Sequence, residues 1–252
     1  MKTSVSIIVP CYNEEGNIRA TIAAIKEALA FVDIFSDHEI LIFNDNSADS
    51  TGSVAEDIGR NDGKIRVIHN LRNMGFGYNY SEGVRLAGKD YVIMVPGDNE
   101  IPAEAVKKVL SLAGRADVVV PYAANARVRP VARRVVSRLF VIAINALFGT
   151  GLRYYNGTCL IRSALLKKIP LKTRGFAYMA AILVRLLRSG ASFVEVGVDI
   201  RQRDAGRTKA FAVRNVLSVL GAIAGLFWDV RVRGRSRYNA PCKRVEAGAG
   251  NG

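Results

Sequence analysis

The first half of the chain alternates short apolar runs with segments of helical periodicity. Five apolar runs, each five residues long, predict buried strands at residues 5–9, 39–43, 65–69, 91–95 and 117–121. The segments between them carry apolar residues at helical spacing and predict helices at residues 17–31, 53–59, 80–87 and 104–113. Strands that alternate with helices in this way form parallel sheets with helices on both faces. We therefore expect an α/β fold with a mostly parallel central sheet.

The second half has a different pattern, dominated by two apolar helices. Residues 131–148 predict one long amphipathic helix, and residues 192–200 predict a late strand. Residues 211–228 predict a second helix, whose uncharged stretch at 216–228 is thirteen residues long. A membrane-spanning helix needs about 20 apolar residues. This helix is therefore expected to lie in the membrane interface, or alternatively to pack against a second protomer in a homodimer.

The chain has 252 residues, which predicts one main domain. We expect the α/β domain over residues 1–210, an interfacial helix over 211–235 and a disordered, glycine-rich tail over 236–252. The three cysteines are too few and too widely spaced for a disulfide framework or a zinc site. The opening residues MKTSVSIIVPCYNEE do not resemble a signal peptide, because acidic residues follow a short apolar run.

The positive charge is concentrated in two blocks. The chain carries 36 Lys and Arg against 22 Asp and Glu, a net charge of +14. Residues 201–244 contain eleven basic and two acidic residues, and residues 115–138 contain six basic residues and one acidic residue. Such blocks bind nucleic acid, anionic lipid or phosphorylated substrates, or simply cover a soluble surface. Because both blocks flank apolar helices, and no aromatic–basic RNA motif is present, we expect a membrane surface and no nucleic acid.

Polar residues gather where the predicted strands end, which is where open α/β sheets bind ligands. The first strand ends in VPCYNEE rather than in a Gly-x-Gly-x-x-Gly turn, which argues against a dinucleotide-binding domain. Tyr12 is suited to stack on a base and Glu14 to accept hydrogen bonds from a sugar or base; the alternative role of Asn13 and Glu14 is to cap the next helix. The turn at residues 44–49, NDNSAD, is suited to read a nucleobase or ribose, or alternatively forms an Asx turn.

Residues 96–100, PGDNE, follow the fourth predicted strand and are called the acidic loop below. Asp98 and Glu100 place two carboxylates two residues apart. Carboxylate oxygens are ligands that Mg²⁺ and Mn²⁺ prefer, and the oxygens of a diphosphate complete the coordination shell. The alternative is an ordinary helix-capping loop.

These loops together carry a resemblance to a known family. The segments VSIIVPCYNEEGNI, EILIFNDNSADST, NMGFGYNYSEGVRLAGKDYVIMVPGDNEIP and RQRDAGRTK, spread over residues 4–209, resemble family 2 glycosyltransferases of the GT-A fold. More closely, they resemble the polyprenyl-phosphate glycosyltransferases, the group that contains dolichyl-phosphate mannosyltransferase. The resemblance implies a metal-dependent enzyme that uses a nucleotide-sugar donor.

The resemblance also assigns residues to the donor. It implies that Asp98 and Glu100 hold Mg²⁺ or Mn²⁺, and that these two residues and Arg203 are catalytic. It implies a nucleotide-sugar site formed by Pro10, Tyr12, Glu14, Phe43, Asp45, Gly97, Asp98, Arg203 and Lys209. The chain departs from the family pattern at Asn44 and Pro96, which replace aspartates. Glu100 replaces a glutamine, and Thr208 replaces a serine.

The acceptor residues are expected on the long helix at 131–148. Arg133 and Ser137 are four residues apart, so they share one helix face, and a guanidinium with a hydroxyl is suited to bind a phosphate. The alternative is a solvated arginine-rich face. The resemblance implies that this pair contacts the acceptor phosphate, and Arg127 or Arg129 adds a second cation. The expected acceptor residues are therefore Arg127, Arg133 and Ser137.

A phosphate acceptor is already an anion and needs no strong general base, which agrees with a chain whose two histidines, His38 and His69, lie outside the motif loops. The expected reaction is an inverting transfer of one sugar to a polyprenyl phosphate, by a peripheral enzyme on the cytoplasmic face of a membrane. Two alternatives remain open. One is a glycosyltransferase that acts on a saccharide or another lipid, and the other is a non-catalytic basic module that binds anionic lipid.

Overall fold

The computed structural model describes residues 2–171, 175, 177–201 and 213–247. The described residues form one eight-stranded sheet. Its strands are β1 Thr3–Cys11, β2 Phe35–Asn44, β3 Ile65–His69, β4 Tyr91–Met94, β5 Val118–Ala123, β6 Leu160–Arg162, β7 Ser192–Val198 and β8 Lys243–Arg244. The α-helices are α1 Ile18–Phe31, α2 Thr51–Arg60, α3 Phe76–Leu86, α4 Ala103–Leu110, α5 Val131–Phe148, α6 Ser163–Leu166, α7 Tyr178–Arg188 and α8 Val213–Phe227. A 3₁₀ turn, Ala126–Val128, precedes α5, and a π-helix, Trp228–Arg233, continues α8.

The strand order is β3-β2-β1-β4-β6-β5-β7-β8. All neighbouring strands are parallel except β6, which runs antiparallel to both β4 and β5. The carboxyl ends of the parallel strands therefore meet at one edge of the sheet. The chain order reverses between β1 and β4, which is the place where α/β sheets form a ligand crevice.

Two hydrophobic cores, one on each face of the sheet, hold the helices in place. Alternate residues of β1 point to opposite faces, so that Ile7 and Val9 enter one core and Ile8 enters the other. The first core is covered by α1, α2 and α4, and the second by α3, α5, α6, α7 and α8. The three-layer α/β architecture predicted from the sequence is confirmed.

Two elements of the second half, β6 and α7, were not predicted from the sequence. β6 is only three residues long, too short for an apolar run to stand out. In α7, nine of the eleven residues are buried, and this segment was not predicted as an element from the sequence.

The expectation of a disordered tail from residue 236 onward is wrong for residues 236–247. Tyr238 is buried and packs on the backbone of Gly234, where an added Cβ would lie 2.7 Å from the tyrosine ring. Arg244 forms an ion pair of 2.8 Å with Glu195, and β8 pairs with β7. A few anchoring side chains order a segment whose overall composition is polar. Residues 248–252 lie outside the described residues.

Within the described part of the chain, no helix combines the length and the apolar character that a bilayer crossing requires.

Candidate functional site

Three loops are held side by side at the carboxyl ends of β1, β2 and β4. The backbone N–H of Gly97 donates to the carbonyl of Pro10 at 3.0 Å, and the N–H of Asp45 donates to the carbonyl of Cys11 at 2.9 Å. These bonds continue the hydrogen bonding of the sheet beyond the strands. The structure therefore brings Pro10, Asp45 and the acidic loop together, as the sequence analysis expected.

The turn after β1 is braced by the turn after β2. Asn13 adopts a left-handed backbone (φ 57°), which asparagine tolerates better than most residues. Its Oδ1 accepts the N–H of Ala48 at 2.9 Å, and the N–H of Glu14 donates to Thr51 Oγ1 at 2.7 Å. Asn13 thus joins the two turns instead of capping α1. Tyr12 stands exposed on this braced turn, beside a half-buried Glu14.

Asp45 is buried, and its carboxylate is satisfied within the protein. It accepts hydrogen bonds from Asn70 Nδ2 at 2.7 Å and from the backbone N–H groups of Met74 and Gly75, both at 2.8 Å. Asp45 therefore fixes the loop between β3 and α3, which forms the adjoining wall of the crevice. Asn70 was not among the site residues predicted from the sequence. Its position directly after β3, at the same sheet edge, could have indicated it.

Asn44 is also engaged in a local network. Its Oδ1 accepts the N–H of Ser47 at 3.1 Å, and its Nδ2 lies 3.0 Å from Nδ1 of His69. If Nδ2 donates, His69 Nδ1 is the acceptor and His69 Nε2 carries the proton, which it donates to Glu56 Oε1 at 2.8 Å. Gly52 leaves room for this pair, since a Cβ there would lie 2.8 Å from Asn44 Nδ2. The amide at position 44 is thereby directed toward β3.

Phe43 does not line the crevice with its ring. The side chain is 1 % exposed and belongs to the hydrophobic core beneath the sheet. Any contact that this residue makes with a nucleotide comes from its backbone. Burial at the end of a parallel strand explains the difference, because alternate side chains there point into the core.

The acidic loop lies directly on the end of β1. A Cβ on Gly97 would lie 2.4 Å from Cys11 Sγ, so this position has no room for a side chain. The N–H of Glu100 donates to Asp98 Oδ1 at 3.2 Å, and both residues are half-buried. Burial raises the pKa of the Cys11 thiol, and the nearby charges of Glu14 and Asp98 raise it further. The carboxylates of Glu14 and Asp98 therefore both lie near the thiol of Cys11, at the end of β1.

The acidic loop suits a magnesium-type site that the substrate completes. No cluster of three or more His, Cys, Asp or Glu side chains suited to a metal occurs among the described residues. Mg²⁺ is commonly held by one or two carboxylates together with phosphate oxygens and water. Asp98 and Glu100 supply that number of carboxylates and that type of ligand.

The segment before α5 is hydrogen-bonded to the segment after β7, which is in turn hydrogen-bonded to the acidic loop. The side chain of Asn125 donates to the carbonyl of Ile200 at 2.9 Å and accepts the N–H of Ile200 at 3.0 Å. The next residue, Arg201, donates its N–H to the carbonyl of Glu100 at 3.0 Å. The segment that leads into α5 is thus anchored beside Glu100, a connection that sequence reasoning did not find.

Arg133 and Ser137 lie on the inner side of α5. Both are half-buried, and they share a helix face with Ile144 and Phe148, which are fully buried. Arg127 instead lies exposed on the 3₁₀ turn. The shared face of Arg133 and Ser137 agrees with the prediction from their spacing.

The outer side of α5 is apolar and exposed. We call this surface the outer face; on α5 it consists of Val131, Val135, Val136, Leu139 and Ile142. Phe148 packs near Phe227 of α8, at 6.4 Å between ring centroids, and Trp228 of the π-helix is also exposed. Exposed apolar side chains on a helix pair of this kind mark a lipid or protein contact.

Arg203 and Lys209, which the sequence analysis assigned to the donor, lie outside the described residues. Their assignment stays a prediction.

Comparison with known proteins supports one family. The sequence profile described as "Glycosyl transferase family 2" matches residues 6–169. Polyprenol monophosphomannose synthase of Mycolicibacterium smegmatis is 25 % identical over 240 residues, covering 90 % of this chain and 87 % of that protein. Undecaprenyl-phosphate mannosyltransferase of Micrococcus luteus is 24 % identical over 216 residues, covering 80 % and 85 %.

A solved structure shares the fold. Glucosyl-3-phosphoglycerate synthase from Mycobacterium tuberculosis, solved with Mn²⁺, uridine diphosphate and phosphoglyceric acid, superposes with a TM-score of 0.68 at 18 % identity. The superposition covers 89 % of this chain and 78 % of that one. With the profile match spanning more than half of its length, the chain belongs to glycosyl transferase family 2.

Proposed function

We propose that the protein transfers one sugar from a nucleotide-diphosphate sugar to a polyprenyl phosphate at a membrane surface. One observation carries the proposal. The acidic loop is hydrogen-bonded on one side to the end of β1, through Gly97 and Pro10, and on the other side to Arg201. Through Arg201 and Asn125 it is connected to the basic start of α5. The proposed diphosphate site and the proposed phosphate site would therefore lie along one sheet edge.

The crevice between β1 and β4 takes the donor in this proposal. Tyr12 stacks on the base, Glu14 accepts hydrogen bonds from the nucleoside, and the backbone at Gly97 allows close approach of the diphosphate. Asp98 and Glu100 hold Mg²⁺ or Mn²⁺, which stabilises the charge that develops on the leaving nucleoside diphosphate. Arg203 and Lys209 are proposed as further cationic contacts. Asp45 acts by holding the wall of the crevice.

The inner side of α5 takes the acceptor phosphate. Arg133 supplies a guanidinium and Ser137 a hydroxyl, on a helix whose other side is apolar. The phosphate oxygen attacks the anomeric carbon in line with the departing diphosphate, so the configuration inverts. Because the nucleophile is already anionic, positioning and charge stabilisation supply most of the rate. The two relatives named above, whose names specify polyprenol and undecaprenyl phosphate, support this class of acceptor.

The outer face supports the proposal that the acceptor site lies at a bilayer. Residues 124–148 contain five arginines and no acidic residue. Asp229, the only acidic residue between 213 and 238, is engaged by the buried Arg185 at 2.9 Å. An apolar helix face with a basic surround binds anionic lipid. We propose peripheral binding at the cytoplasmic face of a membrane; covering of the same face by a second copy in a homodimer is the competing arrangement.

The proposal is tested by comparing the release of nucleoside diphosphate by the wild-type chain and by Asp98→Ala. The full chain is incubated with polyprenyl phosphate, Mn²⁺ or Mg²⁺ and a panel of UDP-, GDP- and dTDP-sugars, with and without EDTA. We expect one donor to support release that requires both metal and lipid phosphate, and Asp98→Ala to lower it at least about 100-fold. Asp33→Ala is the matched control, because the Asp33 side chain is 96 % exposed and is positioned just before β2, at the opposite sheet edge. Metal-independent release, or full activity of Asp98→Ala, would contradict the proposal.

A further inference from the structure

The entry to α5 carries positive charge that the described protein does not neutralise. Five arginines, Arg127, Arg129, Arg133, Arg134 and Arg138, occur within twelve residues. Among the described residues, no carboxylate forms an ion pair with any of them. Guanidinium groups that are not offset by acidic side chains are available to an anionic ligand.

Arg129 and Arg127 differ in the contacts that orient their guanidinium groups. Arg129 Nη1 donates to the hydroxyl of Tyr154 at 3.0 Å, and the guanidinium lies 5.5 Å from the centroid of the same tyrosine ring. These two contacts orient the plane of the Arg129 guanidinium. Arg127 is exposed, and the described residues provide no comparable contact for it. A pre-oriented guanidinium loses less conformational freedom on binding than an exposed one.

Buried donor groups also lie at this place. Nε of Arg129 and Nε of Arg134 are both shielded from solvent, and neither has a hydrogen-bond partner among the described residues. Buried polar groups almost always have a partner, so each exception calls for an explanation. Because the Nε atoms are shielded, a ligand that arrives from solvent contacts the terminal nitrogens of the guanidinium. A phosphate monoester offers those nitrogens three acceptor oxygens with the opposite charge.

Tyr154 comes from the same edge of the sheet as the acidic loop. Its segment packs on the end of β5, since a Cβ on Gly157 would lie 2.6 Å from the carbonyl oxygen of Pro121. The neighbouring Arg153 donates to the hydroxyl of Tyr122, also on β5, at 2.7 Å. Asn125, four residues before Arg129, is anchored through Ile200 beside Glu100. Arg129 is therefore attached to the donor side from two directions.

We propose that Arg129 binds the phosphate monoester of the acceptor together with Arg133, and that Tyr154 is the positioning residue that orients Arg129. Arg127 makes no contact with the acceptor. The inference rests on the proposed function, and it replaces the expectation that Arg127 is the second cation of the acceptor site.

The test measures binding separately from turnover. Farnesyl phosphate in neutral detergent micelles is titrated into the full chain and into three variants. We expect Arg129→Ala to weaken binding about tenfold or more, as for loss of a hydrogen bond between charged groups. Arg127→Ala, the matched control, changes the affinity less than about twofold. Farnesol, which lacks the phosphate, binds wild type and Arg129→Ala equally.

Tyr154→Phe separates positioning from packing, because it keeps the ring and removes the hydroxyl that Arg129 binds. We expect it to raise the apparent KM for farnesyl phosphate about threefold, with the KM for the nucleotide sugar and the thermal unfolding midpoint unchanged. Glycerol 3-phosphate identifies the source of the phosphate. If Arg129→Ala weakens only farnesyl phosphate, the site is built for a lipid; if it weakens both, the site binds phosphate monoesters in general. Either result supports the role of Arg129.

The inference and the proposed function fail in different ways. If Arg129→Ala binds farnesyl phosphate as wild type does, or if Arg127→Ala weakens it as strongly, the inference is overturned even while sugar transfer is observed. If Arg129 governs binding but no donor sugar is transferred, the inference stands and the proposed reaction is wrong. A wild-type chain that does not bind farnesyl phosphate removes both.

Discussion

Gly97→Ala is a sharp perturbation because it adds one methyl group where the acidic loop touches β1. The added Cβ would lie 2.4 Å from Cys11 Sγ and 3.3 Å from the carbonyl oxygen of Pro10. Non-bonded atoms settle at about 3.5 Å or more, so loop and strand must separate by about 1 Å. The φ angle of Gly97 lies outside the left-handed region, so the effect is steric rather than conformational.

A shift of this size at the acidic loop has a calculable consequence. Displacing catalytic groups by about 1 Å costs about 100-fold in rate, and overpacking a buried contact costs about 1–3 kcal/mol of stability. The obstacle is the sulfur atom, since Cβ of Cys11 lies at an acceptable 3.4 Å. Cys11→Ala alone costs about 1 kcal/mol of unfolding free energy and leaves transfer nearly unchanged.

The double variant Gly97→Ala/Cys11→Ala is therefore expected to recover most of the lost activity. The assay is nucleoside diphosphate release, with thermal unfolding measured in parallel. Gly88→Ala is the control, because its nearest contact is an ordinary 3.6 Å to Glu39. Wild-type transfer by Gly97→Ala, or a double variant no better than the single one, would refute the steric argument.

Three further predictions follow from surface, charge and thiol environments. Leu139 lies on the outer face at 61 % exposure, and Leu139→Glu should lower cosedimentation with anionic vesicles at least about tenfold. Leu71→Glu, at a fully exposed leucine outside that face, should not lower it. Equal effects of the two variants would contradict the membrane assignment. A hydrogen bond from Lys89 lowers the pKa of Asp37 to about 2, below its unfolded value of about 3.9. The stabilisation by Asp37 is therefore present above about pH 4 and is lost as the pH falls toward 2. The free energies of urea unfolding of Asp37→Asn and of wild type should therefore converge near about pH 2. A difference between them that stays constant with pH would contradict this prediction. A thiol reagent at pH 8 should label only Cys242 in the native chain and all three cysteines in denaturant, because the other two thiols are buried; rapid native labelling of more than one contradicts this.

The first half of the fold could be predicted because β-branched apolar runs and polar loops alternate regularly along it. The loops that meet at the crevice were identifiable for the same reason, since parallel strands bring their carboxyl ends together. The helix α5 was also recognisable from its spacing, and its predicted bounds agree with the structure. Local pattern is sufficient where a helix has one buried and one solvated side, or where a strand buried on both faces forms a continuous apolar run.

The remainder depends on contacts between distant segments. α7 buries nine of its eleven residues, including Arg185, whose ion pair with Asp229 at 2.9 Å depends on a segment far along the chain. Asp45 has the right chemistry for a nucleotide, yet the loop after β3 folds over it and takes up its carboxylate. Arg127 and Arg129 are equivalent in sequence, and only the packing of Tyr154 distinguishes them.

The central claim is that a polyprenyl phosphate receives the sugar, and the product itself is the most direct evidence. The full chain is incubated with the donor identified in the panel and with either undecaprenyl phosphate or undecaprenol, and the lipids are analysed by mass spectrometry. We expect a glycosylated lipid of one sugar per phosphate from undecaprenyl phosphate, and none from the alcohol. Glycosylated undecaprenol, or consumption of donor with no lipid product, would contradict it.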